Sequence, residues 1–506
     1  MSGELPKGWV GTSVGELATV GTGATPKRGL DRYWNEGDIA WVTSGAVNGG
    51  RVSHASEYVT SKALEETNLK LYPPGTLLVA MYGEGKTRGK CAELEITACT
   101  NQALAAIQLP DNYPQLRSML KAFLQRNYDE TRLVASGGVQ PNLNLNMVRA
   151  IRVPLPPLNE QKRIVAKIDA LTEKSGEARQ ALDEVPALLD KLRQSILAAA
   201  FRGDLTKKWR EQNPKVEPAS VLLDRIRKER RCKWEEAELA KFKAKGKVPQ
   251  DDKWKQKYQE PEPVDTEGLP ELPEGWCWAS VEMLAEQIVD CPHSTPKYGV
   301  GNHLAVDTTC ILPGRVVTAK LRRLAAAEFE QRVRRLRPQM GDVVFAREGA
   351  VGTAAPLPSD PEVCLGQRVM LVRPSHLLPP GLIVWGLMAP STRAQYEPDL
   401  VGSTVPHVNV GRVVRLALPL PPLAEQGVVL GSLERSLNIL ESLADATQDC
   451  RTAVDSVDAA TLAKAFRGEL VPQDPNDEPA SVLLERIRQE REDGGSGKKS
   501  RGKKTQ

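Results

Sequence analysis

The chain has 506 residues, of which 41% are hydrophobic and 26% charged, a balance that fits about three folded units of ordinary globular composition. Its 68 basic residues nearly cancel 64 acidic ones, leaving +4, so bulk charge argues for no polyanion partner and any nucleic-acid surface must come from local clusters. No stretch approaches the roughly 18 apolar residues of a membrane span, and the start MSGELPKGWVG lacks the basic and apolar regions of a secretory signal, so the expected compartment is the cytoplasm. The cysteines (91, 99, 232, 277, 291, 310, 364, 450) and histidines (54, 293, 303, 376, 407) are scattered with no C-x-x-C pair, so no structural metal is expected.

The chain opens on LPKGW (5–9). A region of short β-like runs follows, among them TLLVAM (76–81) and ALAAIQL (103–109), each bounded by Gly, Pro, Asn or Asp. YPQLRSMLKAFLQR (113–126) has helical spacing. IRVPLPPL (151–158) reads as a last strand stopped by a double proline, with Asn159 placed to cap the next helix. That helix carries a heptad seam of Ile164, Ile168, Leu171, Leu182, Val185, Leu189, Leu192 and Ile196, which calls for a partner helix. Forty such residues make a rod of about 60 Å. Pro186 should kink it. LAAAFRGDL (197–205) and EPASVLLDRIRKER (217–230) follow, then a polar stretch to about 270 that reads as a charged helix and a Pro/Glu linker.

Then the order starts again. LPEGW (272–276), LALPLPPLAEQ (416–426), LAKAFRGEL (462–470) and EPASVLLERIRQER (478–491) repeat the first set at an offset of about 265 residues. DVVFAR (342–347) and RVMLVRP (368–374) supply strand-like runs. Gly75 and Gly341 precede matching runs, which points to one turn geometry in both copies. The second seam, Val429, Leu433, Leu440, Leu443, Val454 and Val457, is poorer but in register, so the two helices are expected to satisfy each other within the chain. The stretches 20–135 and 287–400 match poorly between copies while the ends match closely. That is the pattern of two unlike ligand-reading domains on one duplicated frame. The tail GGSGKKSRGKKTQ is expected to be unstructured.

Several strings together resemble the specificity subunits of type I restriction-modification systems. They are GTGATPKRG…YWNEGDIAWVTSG (21–45), GTLLVAMYGEG (75–85) with GDVVFAREGAVG (341–352), the two P-L-P-P-L-x-E-Q turns, the AFRG-[DE]-L ends, and CPHSTPKYG (291–299). The resemblance spans about residues 5–490. It implies an α+β fold: two mixed α/β target recognition domains joined by two long helices that form an antiparallel intramolecular coiled coil. The expected segments are a first recognition domain at 1–158, a first long helix at 159–202, a charged segment at 203–271, a second recognition domain at 272–423, a second long helix at 424–467 and an extension at 468–506. It further implies that each domain reads one half of a split double-stranded DNA site. The helices set the gap and dock two adenine-N6 methyltransferase subunits, and endonuclease/translocase subunits join. S-adenosylmethionine, Mg and ATP belong to those partners, and this chain binds none of them. A detached recognition half of a fused methyltransferase-nuclease is the alternative.

Side chains in loops beside the strand-like runs are the DNA-contact candidates, because Arg pairs with guanine and Asn or Gln with adenine through paired hydrogen bonds. In the first domain they are Lys27, Arg28, Tyr82, Lys86, Arg88, Lys90, Gln140, Asn142 and Asn144. In the second they are His293, Lys297, Tyr298, Arg347, Arg368, His407 and Asn409. RRLAAAEFEQRVRRLR (322–337) suits phosphate contact and a solvated helix face equally. No catalysis is expected. MYGEGKT (81–87) lacks the first glycine of a phosphate loop, where Ala80 stands, and precedes strand-like sequence where a helix is needed. The proline pairs are followed by Gly or Leu, not the aromatic residue of an amino-methyltransferase motif, and no carboxylate-lysine cluster suggests a nuclease.

Overall fold

A computed structural model describes residues 4–83, 87–128, 142–292, 294–400 and 406–499, with side chains described as far as 492. It divides into two compact units, one made of residues 1–183 and 448–506, the other of residues 184–447. The cut passes through each long helix, so each unit is one mixed α/β domain plus a half of both helices.

In the first unit, the strand Leu104–Gln108 lies between Thr19–Thr22 and Leu77–Ala80, which pairs in turn with Cys91–Leu94 and then Arg51–Val52. A second sheet places Ile39–Val42 parallel to Ala98–Thr100 and antiparallel to Glu57–Val59. The second unit repeats this order in four strands of the larger sheet and three of the smaller, and among the described residues has no edge strand equivalent to Arg51–Val52. Val369–Pro374 lies between Ala285–Asp290 and Val343–Ala346, and Val343–Ala346 pairs with Ala354–Pro356. Tyr298–Val306 runs parallel to Val363–Leu365 and antiparallel to Arg322–Leu324. The regions whose sequences diverge therefore share one topology. The four strand-like runs and the helix Pro114–Arg126 form where their patterns place them. Gly75 and Gly341 sit at φ +86° and +83°, the matched left-handed turns expected before the second strand of each domain.

The recurring motifs build one frame twice. In the first unit Val10–Ser13 pairs with Arg152–Leu155, Pro156 and Pro157 stop the strand, and the long helix Leu158–Phe201 begins. Asn159 therefore lies inside the first turn and not at its cap. The indole of Trp9 donates to buried Glu160 at 2.9 Å, Gln161 Nε2 donates to Pro156 O at 2.9 Å, and Ala480 N to Gly8 O at 2.9 Å. In the second unit Trp276 donates to Glu425 at 2.8 Å, Gln426 to Pro421 O at 3.0 Å and Ala219 N to Gly275 O at 2.8 Å. The AFRG glycines, Gly203 and Gly468, take φ +79° and +74°. A Cβ on either would come within 2.6 Å of Pro273 or Pro6 respectively, so glycine is required for the turn and the close approach together.

The helices Ala219–Ala244 and Ala480–Lys499 each close a domain core. Leu483, Leu484 and Ile487 pack with Val14, Leu17, Leu120 and Phe123, while Leu222 and Ile226 pack with Val281, Leu284 and Met370. The segment between the repeats thus starts as core and not as a solvated charged helix. The tail expected to be unstructured from Gly494 is helical as far as Lys499, and residues 500–506 lie outside the described residues.

Helix packing is antiparallel. Ser175 Oγ donates to Asp458 at 2.6 Å, Arg179 reaches Asp455 at 2.8 Å, and Arg451 reaches Asp183 at 2.6 Å. Rising numbers on one helix meet falling numbers on the other. Helical backbone is continuous through Pro186. A proline has no amide for the carbonyl four residues back, here Leu182, and the Arg451 guanidinium donates to that oxygen at 2.9 Å. Of the seam, Ile164, Ile168, Val429, Leu433 and Leu440 are buried, and Leu171, Leu182, Val185, Leu189, Ile196 and Val454 are half-buried. Leu192, Leu443 and Val457 are exposed. A helix flanked by a domain buries a broad stripe, whereas a helix with only one partner leaves the edges of its stripe in solvent.

Candidate nucleic-acid interface

Both domains present a loop of the same make-up. Thr25-Pro26-Lys27 and Thr295-Pro296-Lys297 each bury the proline and expose the residues on either side. In the first domain Thr25 Oγ1 donates to Gln102 Oε1 at 2.5 Å, and in the second Gln367 Nε2 donates to Thr295 Oγ1 at 2.6 Å. Gln102 and Gln367 occupy matching turns, each after the strand that runs parallel to its neighbour and before the second strand of the larger sheet. Neither the threonines nor these glutamines are among the sequence-stated candidates. The shared TPK tripeptide, and a glutamine recurring at the repeat offset, are the signals that find them.

Beneath the loops the domains differ. In the first, Trp41 Nε1 donates to Ala24 O at 3.0 Å and Trp34 Nε1 to Lys27 O at 3.2 Å, with the two rings edge-to-face. Gly23 lies so close to Thr100 O that a Cβ would come within 1.6 Å of it. In the second, Arg332 takes the place of the indoles. Its side chain is 1% exposed. Nε donates to Glu328 at 2.8 Å, Nη2 to Ser294 O at 2.7 Å and Oγ at 3.2 Å, and Nη1 to Leu365 O at 3.3 Å and Gly366 O at 3.2 Å.

Lys27 is exposed, and Arg28 is paired with Glu57 and lies 4.1 Å over the Trp34 ring. The Arg28 guanidinium holds the Glu57 carboxyl below its ordinary range. Tyr82 is exposed, Arg88 is half-buried, and Lys90 donates to Asn48 at 3.0 Å. Asn142 is exposed. Asn144 accepts from Asn146 N and Met147 N as the cap of the helix Leu145–Ala150, whereas Asn409 heads the matching helix Val410–Arg415 without a capping bond. Lys86, Gln140 and His293 lie outside the described residues.

In the second domain Lys297 is exposed. Tyr298 is half-buried under Arg322, whose guanidinium lies 3.4 Å from the ring centre, and its hydroxyl donates to Asp307 at 3.3 Å. Burial first, and Asp307 second, push that hydroxyl's pKa upward. Arg347 is bound by both oxygens of Asp290 and also donates to Val408 O, so it fastens two loops together. Arg368 is exposed at φ +66°, with Glu348 at 3.2 Å, and His407 is exposed beside it in chain pairing with Glu348. The basic run 322–337 separates by role. Arg332 is buried and Arg337 holds Glu330 and Glu362, while Arg323, Arg334 and Arg335 point to solvent. Arg368, Lys297 and the Thr295–Gln367 pair thus share one edge of the second domain. Lys27, Arg28 and the Thr25–Gln102 pair share the matching edge of the first.

Residues 6–186 match the model of the type I restriction modification DNA specificity domain. The chain is 23% identical to the type I restriction enzyme EcoDI specificity subunit of Escherichia coli over 99% of both chains. Among solved structures it resembles a chain from a study of complex assembly and conformational transition in a type I R-M system, with a TM-score of 0.60 at 20% identity, covering 92% of this chain and 100% of that one. It also resembles the HsdS subunit from Thermoanaerobacter tengcongensis, with a TM-score of 0.52 at 20% identity, covering 93% and 99%. With its duplicated frame and its two domains of one topology, the chain is similar from end to end to the specificity subunits of type I restriction-modification systems.

Proposed function

We propose that the chain is the DNA-reading subunit of a type I restriction-modification complex. Each domain reads one half of an asymmetric bipartite site, and the long helices set the unread gap. The observation that carries this reading is the combination of one frame, built twice from the same hydrogen bonds, with two domains whose exposed loop residues differ. Base identity is read by side chains and one small domain covers only a few base pairs, so two unlike readers imply two unlike half-sites. The fused methyltransferase-nuclease alternative has no observation in its favour.

The partners are two adenine-N6 methyltransferase subunits and the endonuclease/translocase subunits, in the cytoplasm. S-adenosylmethionine, Mg and ATP reside on those partners, and catalysis belongs to them. In the second unit Leu188, Leu192, Ile439 and Leu443 are exposed on the long helices. An apolar strip of this kind suits a helix of the methyltransferase subunit. Exchanging residues 20–135 for another recognition domain, in cells that also make the methyltransferase, tests the reading. Methylation mapping should show one half-site replaced and the other kept. A change in both halves, or in neither, refutes it.

A further inference from the structure

The hydrogen bond between the TPK threonine and the turn glutamine recurs in two domains that otherwise share little sequence. Polar residues on exposed loops drift freely unless something holds them, and here both ends of the bond sit at matching places in one topology. In the second domain the bond joins the two segments that carry the exposed Lys297 and Arg368, and in the first it ties the segment of Lys27 and Arg28 to the Gln102 turn. Thr295 precedes Lys297 by two residues and Gln367 adjoins Arg368, while Thr25 stands two before Lys27 and three before Arg28. A side chain that must meet a base edge has to be held within a fraction of an ångström, which a free loop does not achieve.

We infer that this Thr–Gln pair is a positioning latch for half-site reading, and that in the second domain the buried Arg332 is its base. The inference rests on the DNA-reading function proposed above. Arg332 reaches both segments from below, through Ser294 on one side and Leu365 and Gly366 on the other, while Thr295–Gln367 closes them from above. All three guanidinium nitrogens are engaged, through five hydrogen bonds, a pattern lysine cannot reproduce. Gly366 has no room for a side chain. A Cβ there would lie 2.9 Å from Tyr298 Oη, Asp307 Cβ and Val306 O, so the turn that carries Gln367 and Arg368 is seated against the second sheet. Arg332 is almost wholly buried and so acts through the loops it holds.

The test uses the full-length chain made with its own methyltransferase subunit and maps methylation across a genome. The wild-type map must first show a bipartite site; without one, it is the function reading that fails and not the latch. Given that site, T295A and Q367A should each lower discrimination against second-half mismatches about tenfold, the size of one base-pair penalty, with the first half untouched. T25A and Q102A should do the same to the first half only. R332K should act on the second half only, with its melting temperature checked separately. If R332K fails to fold, the four exposed-loop variants decide alone. An effect of Q367A that T295A does not share would mark a direct base contact by Gln367 and overturn the latch. Unchanged fidelity in the loop variants, or equal loss at both halves, overturns it as well.

Discussion

The two mixed α/β domains hold the same loop by opposite means. The first rests its TPK loop on an apolar floor, the crossed indoles of Trp34 and Trp41, which also donate to Ala24 and Lys27 carbonyls. The second rests it on a buried guanidinium, Arg332, saturated by one carboxylate, three carbonyls and a hydroxyl. The order of the strands the two domains share is the same. The fold therefore fixes where the loop is presented and leaves open how it is held. An indole floor tolerates any charge distribution above it, whereas an arginine floor fails outright once its partners are removed.

Removing each floor is the strongest way to break the comparison. Trp41 is 2% exposed, and Trp41→Ala empties a large buried volume as well as its bond to Ala24, at a cost of about 3–5 kcal/mol. Differential scanning calorimetry should show the first unit melting earlier and the second unit unmoved. A uniform shift of both transitions would mean the units do not melt independently and that the floors are not local devices.

The frames sharpen the comparison from the other side, because one pair of equivalent carboxylates has unlike surroundings. Glu425 accepts from Trp276, Thr206 and Arg210, the last at 2.7 Å with the carboxylate 1% exposed. At the matching places the C-terminal repeat has Val471 and Pro475, so Glu160 keeps Trp9 but its Oε1 is buried without a hydrogen-bond partner among the described residues. Glu425→Gln should cost about 1.5–3 kcal/mol, the worth of a hydrogen bond to a charged group. Glu160→Gln should cost less than about 1 kcal/mol, since the indole keeps its acceptor. Burial raises the Glu160 carboxyl above its unfolded value, with Trp9 and Arg163 opposing. A raised carboxyl favours folding while protonated and opposes it once ionised, so the first unit should lose stability as pH climbs through that group's titration. Melts of Glu160→Gln against pH should be flatter than wild type over that range. A steeper profile would mean the charge is compensated by groups other than Arg163.

What was legible in the sequence follows the range of the interactions. Strands such as Leu77–Ala80 and Val343–Ala346 are readable because alternation and the preceding Gly75 or Gly341 are local signals. The frame is readable because its motifs are repeated, although their reason, an indole on a buried glutamate, is a long-range fact. The candidate site was legible only to the level of the loop. Lys27, Arg28, Lys297 and Arg368 lie on the presenting edges, but nothing in a basic run distinguishes Arg332, which is buried, from Arg334 and Arg335, which are solvated. Arg347 likewise looks like a reader in sequence and is committed to Asp290 in the fold. Leu192, Leu443 and Val457 keep heptad spacing yet stay exposed, because spacing does not say what else flanks a helix.

The smallest expected effect concerns the helices, where the two copies again differ: Pro186 has no counterpart in Leu423–Ala465, which carries Arg451 at the matching place. Arg451 supplies to Leu182 O the donor that Pro186 withholds. Arg451→Ala should then cost about 0.5–1.5 kcal/mol more in the presence of Pro186 than in a Pro186→Ala background, where a backbone amide satisfies the same carbonyl. A double-mutant cycle in urea measures that difference directly. Because Arg451 also holds Asp183, part of its loss persists in both backgrounds, and only the coupling reports on the carbonyl. A coupling of zero would mean that the Leu182 carbonyl is satisfied by water, and that the arginine is an ordinary surface ion pair between the two helices.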